Sequence, residues 1–283
     1  MYNQLRLLQP WGFPSAPITI AALPSGKHIA FLARHGTGHS IQPSAVPSRA
    51  NIAALKSLGV RAILAFSAVG SLREEIAPGA FALPAQIIDR TKGVRPASFF
   101  EGTNIVAHAA FGDPFTTRLV DWLEGRVRRA LEEEGRGVQL FTGKTIVCME
   151  GPQFSTRAES IMYRQWGGDL INMSVLPESK LAREAEISYA LIATATDYDS
   201  WRPASAAVTA HDVLATLKAN ADTSRHVAAV VLAELAEDPE MEAIIGAEEG
   251  SMRWSIMPRS VAPPIEDVRK LSFILPAYFT ESN

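Results

Sequence analysis

The stretch Ile187–Trp201, ISYALIATATDYDSW, decides the fold class of this sequence. It begins with a short apolar run typical of a buried strand, and we expect a strand over Ile187–Thr194. Two carboxylates, Asp197 and Asp199, follow where this strand ends. Because ligands bind outside the carboxyl ends of strands in mostly parallel sheets, polar residues at such a point indicate a ligand site.

Strand and helix patterns alternate on either side of this stretch. The other predicted strands are His28–Arg34, Ala62–Ser67, Ala80–Asp89, Lys144–Met149 and Leu170–Met173. A first helix is predicted from about Ser48 to Leu58, and a second lies after Pro114 and is ended by Gly135. A third begins at the capping-box pattern Thr156-x-x-Glu159, and a fourth is entered through Pro177. The last is capped by Thr209-x-x-Asp212 and runs to about Glu237. This alternation predicts an α/β fold.

Composition is that of an ordinary globular protein, with 283 residues of which 47% are hydrophobic and 20% are charged. The sequence contains no internal repeat and no linker-like tract, so we expect a single domain over residues 1–283. Residues 238–270 are rich in Glu, Met, Pro and Arg without a clear period, which predicts a loop-rich surface segment.

Net charge and cysteine content indicate which class of partner and which cellular compartment to expect. A net charge of -3 provides no basic surface for a nucleic acid, so we expect a small-molecule partner. The first residues do not resemble a signal peptide and no long apolar run follows, so we expect no membrane association. Cys148 is the only cysteine, which indicates a reducing compartment; we expect the cytoplasm, with the nucleus as a second location.

Cationic and hydroxyl side chains follow three of the predicted strands. They are Arg34 and His35, Ser67 with Ala68, and Ser174. Arginine, histidine, hydroxyls and backbone N–H groups are the donors that a phosphate dianion needs. Taken singly, each has an ordinary alternative, such as a solvated arginine or a serine in a turn. His35 and His39 also raise the alternative of a metal site, but their spacing matches no metal motif, and we expect no metal.

The pair Asp197 and Asp199 suits one edge of a purine. Alternate residues of an extended segment point the same way, so both carboxylates are expected to face the same ligand. Purine N7 must gain a proton or a hydrogen bond for the base to leave, and a 6-amino group donates to a carboxylate. The alternatives are that both residues cap a turn, or that they form the carboxylate pair of a glycosidase.

Other residues near strand ends are suited to the base and the sugar. Phe154 lies between a strand and a helix start, where its ring could pack on a base, and Met173 could pack on a sugar face. Val213 and Leu214 could line a pocket for an apolar 5′ substituent. Each of these side chains is otherwise an ordinary core residue.

These segments together resemble the methylthioadenosine phosphorylases of the purine nucleoside phosphorylase superfamily. The resemblance covers the chain from about Leu32 to His211 and, more faintly, Phe273–Pro276. It rests on the stretches at Leu32–Ser44, Arg49–Lys56, Gly70–Gly79, Ile88–Thr91, Arg95–Gly102, Glu150–Ser160, Ile171–Glu178 and Ala195–Trp201. It implies a phosphorylase-type α/β fold with a mixed central sheet flanked by helices.

The resemblance also implies a reaction and an assembly. A homotrimer would convert methylthioadenosine and inorganic phosphate, as co-substrate, to adenine and 5-methylthioribose 1-phosphate, without another cofactor. Phosphate would be bound by Arg34, His35, Ser67, Ala68 and Ser174. The nucleoside would be bound by Phe154, Met173, Asp197, Tyr198, Asp199, Val213 and Leu214, with Asp197 assisting departure of the base through N7. His108 and Ile274 would reach the site of a neighbouring subunit.

Two details of the family pattern bear on activity. Relatives that act on 6-oxopurines carry Asn at the position of Asp197 and a carboxylate after the phenylalanine, whereas Ser155 follows Phe154 here, which favours adenine. Family members also have a Gly-Gly-(Ser/Thr)-Gly phosphate turn ahead of Arg34 that is not found in this sequence. Three explanations are open. Translation starts upstream of Met1, or residues such as Leu5–Leu8 substitute in part for the missing turn, or the chain binds nucleoside without turning it over.

Overall fold

The structure is a computed structural model that describes residues 3–5, 10–202, 210–258 and 262–280. Its strands are β1 (Asn3–Leu5), β2 (Ile18–Ala22), β3 (His28–Phe31), β4 (Ala62–Ser71), β5 (Phe81–Arg90), β6 (Leu140–Met149), β7 (Leu170–Asn172) and β8 (Ser188–Asp197). Its helices are α1 (Ser48–Ser57), α2 (Thr117–Glu133), α3 (Arg157–Gln165), α4 (Val175–Glu184), α5 (Ala210–Glu237), α6 (Met241–Ile245) and α7 (Ile265–Ser272).

Five strands close into a barrel in the order β4-β7-β6-β5-β8. β4 runs parallel to β8 and antiparallel to β7, and β6 runs parallel to both β5 and β7. β5 and β8 complete the barrel in antiparallel orientation. The α/β fold with a mixed sheet is therefore confirmed. The closure of the sheet into a barrel was not predicted, because strand patterns do not reveal which edge strands will pair.

The predicted strand His28–Arg34 lies outside the barrel. β3 ends at Phe31 and pairs antiparallel with β2, which pairs in turn with β1. The expectation that a strand of the central sheet delivers Arg34 is therefore wrong. The physical reason is the preceding strand β2, which was not predicted and which supplies the backbone partners of β3. Arg34 instead begins a tight turn in which Gly36 and His39 have positive φ angles of 75° and 58°.

The core lies on both sides of β8, whose residues from Ser188 to Thr196 are all buried. Helices α2 and α5 pack on one side through an apolar cluster that includes Leu123, Val231 and Ile192. The predicted amphipathic helix after Pro114 is confirmed as α2. It ends just before Gly135, whose φ of 66° is a conformation that favours glycine and stops a helix. Among the described residues, no helix is long and apolar enough to cross a membrane.

Two short helices fall wholly or partly in the segment 238–270, where a loop-rich surface was expected. They are α6 and α7, and turns over residues 246–255 follow α6. Glu248 in this segment is buried, accepts a hydrogen bond of 2.8 Å from Thr116, and pairs with Arg183 at 2.8 Å. The segment is thus anchored to the body of the protein by buried polar contacts.

Candidate active site

A β-bulge changes the direction in which side chains point at the carboxyl end of β8. Ala195 pairs with Val69 of β4 and Asp197 pairs with Gly70, so Thr196 has no partner in the register. A bulge adds one residue to a strand and turns the side chains beyond it, and it is a common device beside active sites. A Cβ added to Gly70 would lie 3.1 Å from Asp197 Oδ1. Glycine is therefore required for the carboxylate to lie over this strand.

Asp197 and Asp199 form a tight turn rather than an extended pair. The backbone N–H of Asp199 donates to Asp197 Oδ1 at 2.8 Å, and Asp199 has a φ of 48°, in the left-handed region. The expectation that the two carboxylates point the same way along an extended segment is therefore wrong. The sequence signal behind it was the spacing of two residues, which an aspartate-stabilised turn shares. The two residues nevertheless remain neighbours, because Asp199 also lies beside Gly70.

Both carboxyl groups retain their protons to higher pH than an ordinary aspartate. Burial raises the pKa of Asp197, and hydrogen bonds from the Asp199 amide and from Thr196 oppose that rise in part. Burial also raises the pKa of Asp199, with a further contribution from the negative charge of Asp197. A buried carboxyl group with a raised pKa is better suited to general acid catalysis than an ordinary aspartate.

Phe154 and Ser155 precede α3, whose start is the predicted capping box. Thr156 accepts a hydrogen bond from the Glu159 amide at 3.2 Å, and the Glu159 carboxylate accepts one from the Thr156 amide at 2.8 Å, which confirms the prediction. This fixed helix start holds Phe154 with 43% of its surface exposed, whereas Ser155 is buried. An exposed ring beside a buried hydroxyl is suited to stacking on a planar base.

Met173 is held in place by its backbone and by a glycine. The Arg95 guanidinium donates to the Met173 carbonyl at 2.7 Å and pairs with Glu150 at 2.5 Å, with both charged side chains almost fully buried. Gly151, with a φ of 71°, lies so close to the Met173 thioether that any side chain there would collide with it. The thioether therefore lies against Gly151, just after the end of β6.

Arg34 is oriented by a partly buried carboxylate that was not among the predicted site residues. Its Nε and Nη2 donate to Glu178 at 2.8 and 3.0 Å, and its Nη1 donates to the Phe66 carbonyl at 2.9 Å. Tyr189 on β8 donates to the same carboxylate at 2.8 Å. Glu178 lies 144 positions from Arg34. The only sequence signal for it was the Pro-Glu pair at the end of the stretch Ile171–Glu178.

Ser67 and Ser174 form a cluster of hydroxyls with Asn172. Their Oγ atoms lie 3.1 Å apart, and Asn172 Nδ2 lies 3.1 Å from Ser67 Oγ and 3.2 Å from Ser174 Oγ. The structure therefore brings together two serines that are 107 positions apart. Ala68 contributes its carbonyl, which accepts from Ser67 at 3.0 Å. Asn172 was not among the predicted site residues, although it directly precedes Met173.

His35 has one ring nitrogen engaged by the backbone. Its Nδ1 lies 2.9 Å from the Ile41 carbonyl, so Nδ1 carries a proton and Nε2 is left for another partner. The ring stacks on His39 with centroids 4.4 Å apart. Burial lowers the pKa of His35. Among the described residues, no three His, Cys, Asp or Glu side chains are grouped so that they could hold a metal ion.

Several predicted residues do not join this cluster in the described chain. Tyr198 directs its hydroxyl to the Glu74 carbonyl at 3.3 Å, and the Arg202 guanidinium lies 3.5 Å from its ring. His108 is held by its backbone N–H, which donates to the Ser255 carbonyl at 2.8 Å. The side chains of Val213 and Leu214 lie outside the described residues, as do residues 6–9.

The expectation for Ile274 is wrong. This side chain is fully buried in the main apolar core of its own subunit, so it could reach a neighbouring subunit only by leaving that core. The expectation rested on the family resemblance alone; in this fold the Ile274 N–H donates to the Leu271 carbonyl at 3.0 Å, directly after α7.

The donors and carboxyls lie on neighbouring strands. Ser67 and Gly70 are on β4, Asn172 ends β7, and Asp197 ends β8 beside Gly70. The hydroxyl cluster and the two carboxyls therefore lie at neighbouring positions of β4, β7 and β8. Arginine and hydroxyl donors can hold an oxyanion, and a carboxyl with a raised pKa can supply a proton to a leaving group.

Comparison with known proteins agrees with this geometry. A model of the phosphorylase superfamily matches residues 8–236. The S-methyl-5′-thioadenosine phosphorylase of Coprinopsis cinerea is 66% identical, over 96% of this chain and 90% of that protein. A methylthioadenosine phosphorylase from an antarctic soil metagenomic library has a TM-score of 0.86 at 39% identity, covering 97% of this chain and 92% of that one.

A further solved structure is informative about the ligand class of a relative. The methylthioadenosine phosphorylase of Schistosoma mansoni, solved in complex with adenine, has a TM-score of 0.83 at 31% identity, covering 89% of this chain and 91% of that one. The family model spans most of the chain, and the relatives align with nearly all of it. The chain therefore belongs to the phosphorylase superfamily.

Proposed function

We propose that this protein catalyses the phosphorolysis of 5′-methylthioadenosine to adenine and 5-methylthio-α-D-ribose 1-phosphate. The observation that supports the proposal is the junction of β4, β7 and β8, near which Arg34, Ser67, Ser174 and Asp197 lie. A relative that is 66% identical is named S-methyl-5′-thioadenosine phosphorylase.

Phosphate is the nucleophile in this proposal. Arg34 has five N–H groups, of which three are engaged by Glu178 and Phe66, so two remain for oxyanion oxygens. The hydroxyls of Ser67 and Ser174 complete the donor set, and His35 Nε2, which carries no proton in the neutral ring, accepts from a protonated phosphate oxygen. Phosphate attacks C1′ of the ribose from the face opposite the base, and the donors hold it in that position. In the oxocarbenium-like transition state the ribose carries positive charge between the incoming phosphate and the departing base.

Asp197 assists departure of the base. Its carboxyl donates to purine N7, so that the electron pair of the breaking C1′–N9 bond leaves on a neutral base. Asp199 accepts from the 6-amino group, Phe154 packs on the base, and Met173 packs on the ribose. The buried Ser155 hydroxyl stands where relatives that act on 6-oxopurines carry a carboxylate, which supports adenine as the base.

A neighbouring subunit completes the 5′ pocket in this proposal, in a homotrimer. His108 lies beside an exposed apolar patch formed by Val106, Trp254 and Met257, of which Trp254 is 87% exposed. Burying such a patch against another copy of the chain would bring His108 to a subunit boundary. Val213 and Leu214 would line the same pocket from within. Light scattering of the purified protein tests the assembly, and a monomer at micromolar concentration would contradict it.

The substrate assignment is tested by comparing three nucleosides at saturating phosphate. Methylthioadenosine, adenosine and methylthioinosine differ only at the 5′ group or at position 6, so kcat/KM reports each recognition element separately. We expect methylthioadenosine to be preferred over both. A preference for methylthioinosine would contradict the roles of Asp197 and Asp199, and a preference for adenosine would contradict the apolar 5′ pocket.

A further inference from the structure

Thr196, the residue left unpaired by the bulge in β8, contacts two acceptors. Its hydroxyl lies 2.8 Å from Asp197 Oδ2 and 3.3 Å from the Val69 carbonyl. A hydroxyl has one proton and two lone pairs, so it can donate to only one of these oxygens at a time. Thr196 itself is buried, so no solvent competes for that proton. The direction in which the hydroxyl donates therefore depends on the state of Asp197.

The proton of Asp197 has one place to reside. Oδ1 accepts the Asp199 N–H at 2.8 Å, which disfavours a proton on that oxygen. Oδ2, the oxygen that faces Thr196, is left as the protonated one. While Oδ2 holds a proton, the Thr196 hydroxyl is satisfied by donating to Val69. Once Oδ2 is ionised, the same hydroxyl can turn and donate to it at 2.8 Å.

Few groups around Asp197 favour its ionised form, and the Thr196 hydroxyl is one of them. Of the described groups, the Asp199 amide and the Thr196 hydroxyl are those that favour the ionised form, against a larger effect of burial. The nearby titratable group is Asp199, which in turn interacts with Tyr163 of α3. Both are neutral or negative, so neither stabilises a carboxylate at position 197. Among the described residues, Thr196 is thus the one side chain that can donate a hydrogen bond to Asp197 once that carboxyl becomes negatively charged.

We propose that Thr196 is a positioning residue that follows the proton of Asp197, donating to Val69 before the reaction and to Asp197 Oδ2 after it. This inference rests on the proposed function. In the step concerned, a phosphate oxygen bonds to C1′ and the C1′–N9 bond breaks, with its electron pair passing to the purine. The proton on Oδ2 moves to N7. Adenine leaves neutral, and Asp197 remains as a carboxylate that Thr196 stabilises.

The test uses three variants of the full-length chain. Thr196→Val removes the hydroxyl at nearly constant volume, and Thr196→Ser restores it. Thr223→Val is the matched control, because Thr223 is a buried threonine on α5 whose hydroxyl lies 3.3 Å from the Glu134 carboxylate, away from the site. Adenine release from methylthioadenosine and phosphate is followed as a function of pH. Binding of adenine alone is measured over the same range by calorimetry.

The expected result is a roughly 10- to 100-fold fall in kcat for Thr196→Val, the range of a hydrogen bond to a charged group. The alkaline limb of kcat/KM and of adenine affinity should also move to higher pH, because ionised Asp197 has lost a donor. Thr196→Ser should restore both to within about threefold, and Thr223→Val should change neither.

A Thr196→Val enzyme with kcat within twofold of the parent and an unmoved alkaline limb would overturn the inference. An equal loss in Thr223→Val would also overturn it. If the parent chain released no adenine, the proposed function would fail instead. The pH dependence of adenine binding would then still decide whether Thr196 responds to the proton of Asp197.

Discussion

The Glu178 carboxylate accepts two hydrogen bonds from the Arg34 guanidinium, at 2.8 and 3.0 Å, in a partly buried ion pair. The pair fixes the plane of the guanidinium, because a bidentate contact allows one orientation. It also cancels the arginine charge locally, so the site attracts phosphate mainly through directed N–H and O–H donors. Orientation of Arg34 should therefore matter more for phosphate binding than its charge alone.

The first prediction concerns Tyr189, whose hydroxyl donates a hydrogen bond to the Glu178 carboxylate. Tyr189→Phe should raise KM for phosphate about fivefold, the effect of one lost hydrogen bond, while KM for the nucleoside stays within twofold. Glu178→Asp retains the charge but withdraws both oxygens by a methylene, and it should raise KM for phosphate about tenfold or more. Steady-state kinetics with each substrate varied in turn measures both. Equal increases in the two KM values would show that the pair has only a structural role.

The pH dependence of turnover follows from the raised pKa of Asp197. The active form is protonated, so kcat/KM for the nucleoside should be constant below this pKa and fall as the pH rises through it. Asp197→Asn retains a donor toward N7 but cannot titrate. The kcat/KM of this variant should be lower than that of the parent enzyme, and the fall with rising pH that titration of Asp197 causes should be absent. A parent enzyme whose activity rises over the same range would contradict an acid role for Asp197.

Phe154 is expected to bind substrate without contributing to stability. Its ring is 43% exposed, so Phe154→Ala should leave the Tm within about 2 °C while raising KM for the nucleoside about tenfold, the effect of a lost stacking contact. Ile161→Ala is the matched control, because Ile161 is 42% exposed on the adjacent helix α3. It should change neither quantity. A similar rise in KM in both variants would argue against a specific contact with the base.

Gly70 should tolerate no side chain. A Cβ there would lie 2.9 Å from Ile171 and 3.1 Å from Asp197 Oδ1, so Gly70→Ala should displace the carboxylate and reduce kcat at least tenfold. Overpacking should also cost about 1–3 kcal/mol in the free energy of unfolding. Gly125→Ala on α2 is the control, since a Cβ there meets no atom within 4 Å. Alanine at that helical position should stabilise slightly, as measured by urea denaturation.

Short-range features of this fold were predictable from the sequence. The capping box of α3 and the glycine stop after α2 are set by residues within a few positions of one another, so their patterns are read directly. The strand that carries Asp197 was recognised for a similar reason, since a run of buried residues is a local property. The bounds of these elements moved by only a few residues.

Partners distant in the chain could not be predicted. Glu178 on α4 contacts Arg34 and Tyr189 only in the folded chain, and no spacing in the sequence encodes those contacts. Thr196 is similar, because only the pairing of β8 with β4 creates the bulge that frees its side chain. The backbone predicted for Asp197 and Asp199 was wrong, since a spacing of two residues fits both a strand and a turn, and their role as site residues stays a prediction.

The central claim is that phosphate, rather than water, breaks the nucleoside bond with the help of Asp197. The most direct measurement is the release of adenine from methylthioadenosine with and without phosphate, with 5-methylthioribose 1-phosphate quantified in parallel. We predict equimolar products only when phosphate is present, and a loss of roughly 10²- to 10⁴-fold in Asp197→Ala. Release of adenine with free methylthioribose in the absence of phosphate, or undiminished activity of Asp197→Ala, would contradict this account.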